Sequence, residues 1–272
     1  MSQLWSLLLY QPLVNALIFL YKIFGENLGW AIIALTILVR LLVVPLMKPQ
    51  LEASKKMQKL APELDKLKKK FADDKQKLAQ AQMELYKKEG INPAAGCLPQ
   101  IIQLLILIAL YQAFSQVLRS DGAAVIEKLN KVLYQPLRLP DSVHINLNFL
   151  WLNLAKPDLL KIQSLPPLPG IFLILSAVFQ FLSAKMMMPQ AKLASQEAKK
   201  TETKTDDFSS AMQMQATYMF PLMTLLIGFS FPSGLVLYWM LFSLLSMVQQ
   251  YLVGGWGGLA SYAAKLKVKS KK

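Results

Sequence analysis

Cysteine and histidine occur once each in the 272 residues, as Cys97 and His144. One cysteine excludes an intramolecular disulfide and any multi-cysteine metal site, and one histidine excludes a His-based metal centre. Charge is also scarce: 17% of residues are charged, where a soluble globular domain carries nearer a quarter. The N-terminus lacks the basic, apolar and small-residue succession of a secretory signal, a cysteine to take a lipid, and the Arg- and Ser-rich composition of a transit peptide. No Asp, Glu or His lies in the long apolar stretches, and no Gly-rich phosphate loop is visible, so covalent and hydrolytic chemistry lack a base and a cradle. The chain is read as neither an enzyme nor a cofactor carrier.

Apolar sequence fills the space left by charge. Hydrophobic residues make up 54% of the chain and the mean hydropathy is +0.36, which indicates an all-α, multispanning membrane protein. About 20 apolar residues cross the hydrocarbon core as a helix. Five stretches meet or approach that length: 28–47, 98–118, 166–184, 216–231 and 235–253. Before them, residues 11–25 are too short to cross comfortably and suit a helix lying in the interface, ended by Gly25, within an extracytoplasmic segment 1–27.

Lys and Arg assign the sides. Residues 48–90, 185–213 and 254–272 carry 12, 5 and 5 of them, whereas 1–27 and 119–165 carry 1 and 6. The positive-inside rule places the first three segments in the cytoplasm and the other two outside, with the N-terminus outside and the C-terminus inside. Between the last two spans, "FPSG" (231–234) has Pro and Gly where a tight reversal takes them. The outer stretch "LPDSVHINLNFL" (139–150), His144 included, carries no motif that points to a function.

The basic segment 48–90 reads as a helical hairpin. Met57, Leu60, Leu64, Leu67 and Phe71 form one apolar seam, and Asp73 or Asp74 is suited to cap a second helix from about Lys75 to Glu89. Its lysines, among them Lys55, Lys56, Lys59, Lys68, Lys69 and Lys70, either solvate the pair and hold it inside or form a docking arm for acidic lipid headgroups or RNA. The tail lysines Lys265, Lys267, Lys269, Lys271 and Lys272 admit the same two readings, topology signal or contact with ribosomal RNA or anionic lipid.

Inside the first span stands Arg40, its thirteenth residue, about 10 Å from the cytoplasmic end at 1.5 Å per residue. A charge there costs about 2.5 to 3.5 kcal/mol on insertion scales. Snorkelling to the interface is one resolution. The other is a hydrated cavity: Thr36 shares the face of Arg40, no span offers an acid, and the other spans carry polar stripes at helical spacing. Those stripes are Gln100 and Gln103; Ser176, Gln180 and Ser183; and Trp239, Ser243, Ser246 and Gln250. Together they suggest a polar groove within the bilayer, open to the cytoplasm.

In order and spacing, "YQPLVNALIFLYKIFGENLGWAIIALTILVRLLVVPL", "DDKQKLAQAQMELYKKEGINPAAGCLPQIIQLLILIALYQAF", "FLWLNLAKPD" and "FPSGLVLYW" resemble the YidC family of membrane protein insertases, related to the mitochondrial Oxa and chloroplast Albino insertases. The resemblance implies five helices around a hydrophilic groove with Arg40 as its positive charge. It further implies a hairpin that receives clients, a tail that helps hold the ribosome, nascent membrane proteins as partners and, in a Sec-dependent mode, the translocon. The pattern departs from the family at Ser243, where Asn is usual, and lacks both a large extracytoplasmic domain and a lipoprotein cysteine. A transporter or channel for an anionic solute is the rival reading, and five spans without a visible internal repeat fit it poorly.

Overall fold

The computed structural model describes residues 3–71, 74–90, 98–118, 123–160, 166–187 and 215–260. Among these, nine helices carry the architecture. They are α1 (Gln3–Ile23), α2 (Leu28–Lys59), α3 (Ala61–Lys70), α4 (Lys75–Lys88), α5 (Leu98–Leu118), α6 (Ala123–Asn130), α7 (Ile171–Met186), α8 (Phe220–Gly228) and α9 (Ser233–Gly254). Two antiparallel pairs of two-residue strands complete it: β1 (Asn148–Phe149) with β2 (Leu152–Asn153), and β3 (Leu159–Leu160) with β4 (Leu168–Pro169). Helix α1 and the Leu28–Pro45 and Ser233–Gly254 helices are long and apolar enough to cross a membrane, and Leu104–Val117, Ile171–Met186 and Thr217–Gly228 are shorter apolar helices.

Two sequence expectations change in detail. The helix expected over 11–25 extends back to Gln3 through a π-helical turn at Ser6–Tyr10, which gives 21 residues and a length that suffices to span. Its end is where Gly25 was expected to stop it: Gly25 has φ +65°, and the Glu26 N–H donates to the Tyr21 carbonyl at 2.9 Å, the six-to-one closure of a Schellman cap. The single seam expected from Met57 to Phe71 is interrupted. Helix α2 runs unbroken past its apolar part to Lys59, and α3 restarts at Ala61, because Pro62 lacks the N–H an interior position needs and is accommodated in a first turn.

The chain divides into two compact units, one formed by Met1–Val43, Ile101–Ala177 and Met223–Phe242 and the other by Val44–Gln100, Val178–Leu222 and Ser243–Lys272. The first holds the main core. Leu17, Ile18 and Tyr21 of α1, Leu28, Ile32 and Leu35 of α2, Leu110 and Phe114 of α5, and Leu129 of α6 are buried there with Leu154, Leu173 and Tyr238.

Polar side chains in this unit tie remote segments together. The buried Asn15 amide donates to the Gln11 and Val132 carbonyls at 2.8 and 2.9 Å and accepts the Tyr134 N–H at 2.6 Å. Tyr21 accepts the Asn146 N–H at 3.0 Å, and the Asn130 amide makes a reciprocal pair with the Leu139 backbone. Helix α7 begins without an acid of its own in its first turn, and the buried Asp158 carboxylate supplies the cap from 15 residues upstream by accepting the Leu173 N–H at 2.9 Å. Pairing of β3 with β4 brings Asp158 against Gly170, where any Cβ would land on the carboxylate.

The reversal before α9 also docks on the loop 123–160. Ser233 and Gly234 donate their N–H groups to the Lys156 and Leu154 carbonyls at 2.7 and 3.0 Å. Both residues are already in the first turn of α9, and Gly234 packs closely there: a Cβ would stand 3.3 Å from Ile32 and 3.4 Å from the Leu154 carbonyl oxygen.

The second unit contains the hairpin of α3 and α4. Asp74, one of the two aspartates expected there, is the cap of α4 and accepts the Lys77 N–H at 3.0 Å; Asp73 lies outside the described residues. Leu60, Leu78 and Tyr86 are buried in the hairpin, with Leu64 and Leu85 packed against Leu60 and Tyr86.

Candidate functional site

Two faces of α2 decide where Arg40 points. Ile37, Leu38, Leu41 and Leu42 are exposed, as lipid-facing residues of a span would be, while Leu35, Thr36, Val39 and Arg40 are buried. Arg40 is only 6% exposed. Its guanidinium carbon lies 4.6 Å from the centre of the Phe242 ring, within the range of a cation–π contact. Thr36, one turn earlier on the same face, donates its hydroxyl to the Ile32 carbonyl at 2.6 Å, which satisfies the proton within the helix and leaves the oxygen as the polar surface of that turn.

The sequence left Arg40 between snorkelling and a hydrated cavity, and the structure adds a ring face to its surroundings. A guanidinium is weakly hydrated and planar, and a ring face offers it partial compensation for burial. Phe242 therefore belongs to the candidate site although periodicity alone did not single it out. The signal for it was its place on α9, three residues after Trp239 and beside Ser243.

The first unit brings Thr36, Arg40 and Phe242 together and holds Trp239 in a separate aromatic row. The Trp239 ring is 5.7 Å from that of Phe231, which in turn is 5.6 Å from Tyr111. Tyr238 is buried beside Phe242 at 6.0 Å. Ser176, on α7, is buried and its hydroxyl has no hydrogen-bond partner among the described residues. Gln103 is part of α5 in this unit, and its side chain lies outside the described residues, as does that of Gln100 in the second unit.

In the second unit Gln180 and Ser246 are half-buried and Ser243 and Gln250 are buried. On α9 the buried or half-buried face that bears Ser243, Ser246 and Gln250 contrasts with exposed Val248, Tyr251 and Leu252. Of the hairpin lysines, Lys56, Lys59, Lys69 and Lys70 are exposed, and the side chains of Lys55 and Lys68 lie outside the described residues. An open groove of about 600 Å³ between α3 and α4 is lined by Leu67, Phe71, Ala81 and Leu85, with Lys66, Lys70 and Lys88 and two glutamates at its rim. The tail lysines from Lys265 to Lys272 lie outside the described residues.

Comparison with known proteins adds an independent line. The family model described as 60Kd inner membrane protein matches residues 19–256. The membrane protein insertase YidC of Fusobacterium nucleatum subsp. nucleatum is 35% identical over 227 residues, which cover 84% of this chain and 86% of that protein. The membrane protein insertase MisCA of Bacillus subtilis is 34% identical over 255 residues, covering 92% and 79%. The YidC protein of Methylobacterium nodulans is longer: 32% identity over 250 residues covers 92% of this chain and 36% of that one. Among solved structures, a crystal structure of an active YidC insertase with its first transmembrane domain resolved matches 92% of this chain and 47% of that chain, with a TM-score of 0.53 and 23% identity. The structural likeness concerns the fold, which is all-α and of the membrane type.

Proposed function

Since the chain belongs to the 60Kd inner membrane protein family, we propose that it inserts nascent membrane proteins into the bacterial plasma membrane and helps them fold. The observation that carries the mechanism is the buried Arg40 of a spanning helix, held against Phe242 with Thr36 one turn away. A client that must move a polar tail across the bilayer meets the cost of taking charge into hydrocarbon. A fixed cation part-way across reduces that cost for an acidic tail. The contact with Phe242 keeps that positive charge at a set depth on α2.

The client's apolar helix supplies the drive. Each Leu, Ile, Phe or Val that enters lipid contributes about 0.3 to 0.6 kcal/mol, and no nucleotide is needed. The polar stripes that include Gln103, Gln180, Ser243 and Ser246 support a hydrated lining in this reading, and the basic hairpin and tail support contacts with the client, the ribosome, the Sec translocon or anionic lipid. The loop charges support an outside N-terminus and a cytoplasmic C-terminus.

Crosslinking tests the reading. Photoreactive residues at positions 36, 40, 103 and 239 are expected to capture a stalled nascent membrane protein, most strongly at 36, where the Arg40 charge is retained. Silence at all four positions removes the receiving site.

A further inference from the structure

The hairpin of β1 and β2 closes with a two-residue loop occupied by Leu150 and Trp151. Such loops favour Gly, Asn or Asp wherever φ is positive, yet Leu150 stands there at φ +53°. It gains no burial in return: Leu150 is 67% exposed and Trp151 61%. A strained leucine and a tryptophan together at a solvent-facing tip need an external apolar partner to account for them.

The surroundings of the tip identify that partner. Trp151 packs on Phe172, the second residue of α7, at 5.4 Å, and Phe149 receives the edge of Trp30, the third residue of α2, at 5.6 Å. The tip therefore stands level with the N-terminal ends of two apolar helices. Along α7 the exposed apolar surface continues from the tip through Ile171 and Ile174. No charged residue occurs from Asn148 to Ala155. Tryptophan and leucine at the end of a span, with asparagines on either side, suit the boundary between headgroups and acyl chains.

We propose that the Leu150–Trp151 tip is a membrane anchor that inserts into the headgroup–acyl boundary of the leaflet where α2 and α7 begin. It fixes the depth and tilt of that end of the molecule, and it is separate from the client-receiving role of Arg40.

The test uses the full chain in liposomes, with Cys97→Ser combined with Leu150→Cys and, in a second protein, with Trp151→Cys, each labelled with an environment-sensitive nitrobenzoxadiazole dye. Asp141→Cys, at an exposed position of the same loop, serves as the aqueous control. Labels at 150 and 151 are expected to be quenched severalfold more by lipids carrying a nitroxide near the headgroup than by lipids carrying it deep in the acyl chain, and to resist aqueous iodide. Iodide quenching equal to that at position 141 overturns the proposal. So does shielding from iodide without quenching by either lipid, which indicates cover by protein.

Discussion

Two connecting segments of similar length, 119–165 and 48–90, are built on opposite principles. The outer one, where described, is fastened to remote helices by buried side chains: Asn15 and Tyr21 hold it from α1, and its own Asp158 caps α7. The basic one folds on itself. Its described hairpin has an apolar contact that includes Leu60, Leu64, Leu85 and Tyr86, a local cap at Asp74 and an exposed Lys77–Asp74 pair at 3.0 Å. Surface pairs of that kind contribute little. The first segment has the means to set helix positions, whereas the described contacts of the second are local to its own hairpin and its surface is basic.

The comparison is sharpened most by damage to the fastened segment. Gly170→Ala drives a methyl into the Asp158 carboxylate at the start of α7 and is expected to cost about 1 to 3 kcal/mol, a loss of several degrees in the thermal midpoint of the detergent-solubilised protein. An unchanged midpoint would show that this cap is not fastened as described. Asn15→Ala leaves the Tyr134 N–H and the Val132 carbonyl without their partner, and about 1 to 3 kcal/mol is expected from the unmet polar groups, at the lower end if water reaches them.

A smaller effect comes from pH. Burial outweighs the Leu173 and Phe172 N–H groups and raises the Asp158 carboxyl above its ordinary range, so the folded state holds this proton more tightly than the unfolded one. From about 3.9, the unfolded aspartate value, up to the raised folded value, stability falls as pH rises, and the Asp158 contribution is complete only below that window. Asp158→Asn removes this slope from the midpoint measured against pH; a slope that survives the substitution has another source. The smallest effect belongs to the hairpin: Asp74→Ala is expected to speed amide exchange in the first turn of α4 and leave the midpoint of the whole chain where it was. A global loss there would erase the distinction between the two segments.

Local rules explain how much could be read in advance. Gly25, the cap at Asp74 and the shared face of Thr36 and Arg40 are consequences of short-range geometry, and spacing located them, the cap to one of two adjacent aspartates. Pro62 shows the limit of that reading, since an apolar seam continued across it while the helix did not. The roles of Asn15 and Asp158 depend on partners far along the chain, and the turn pattern of FPSG does not show that its glycine packs against Ile32 and Leu154. The candidate site follows the same division: a lone arginine in a span is conspicuous, but which ring would cover it depends on how α2 and α9 pack.

The central claim is that Arg40 acts on clients through its charge, and purified protein in vesicles tests it directly. Insertion of a single-span client with an acidic translocated tail is compared for the unaltered chain, Arg40→Lys and Arg40→Ala, beside the same client with a neutral tail. Lys is expected largely to preserve insertion and Ala to reduce it by about tenfold, equivalent to about 1.4 kcal/mol, with the neutral tail much less affected. Equal insertion by all three proteins with the acidic tail would contradict that claim.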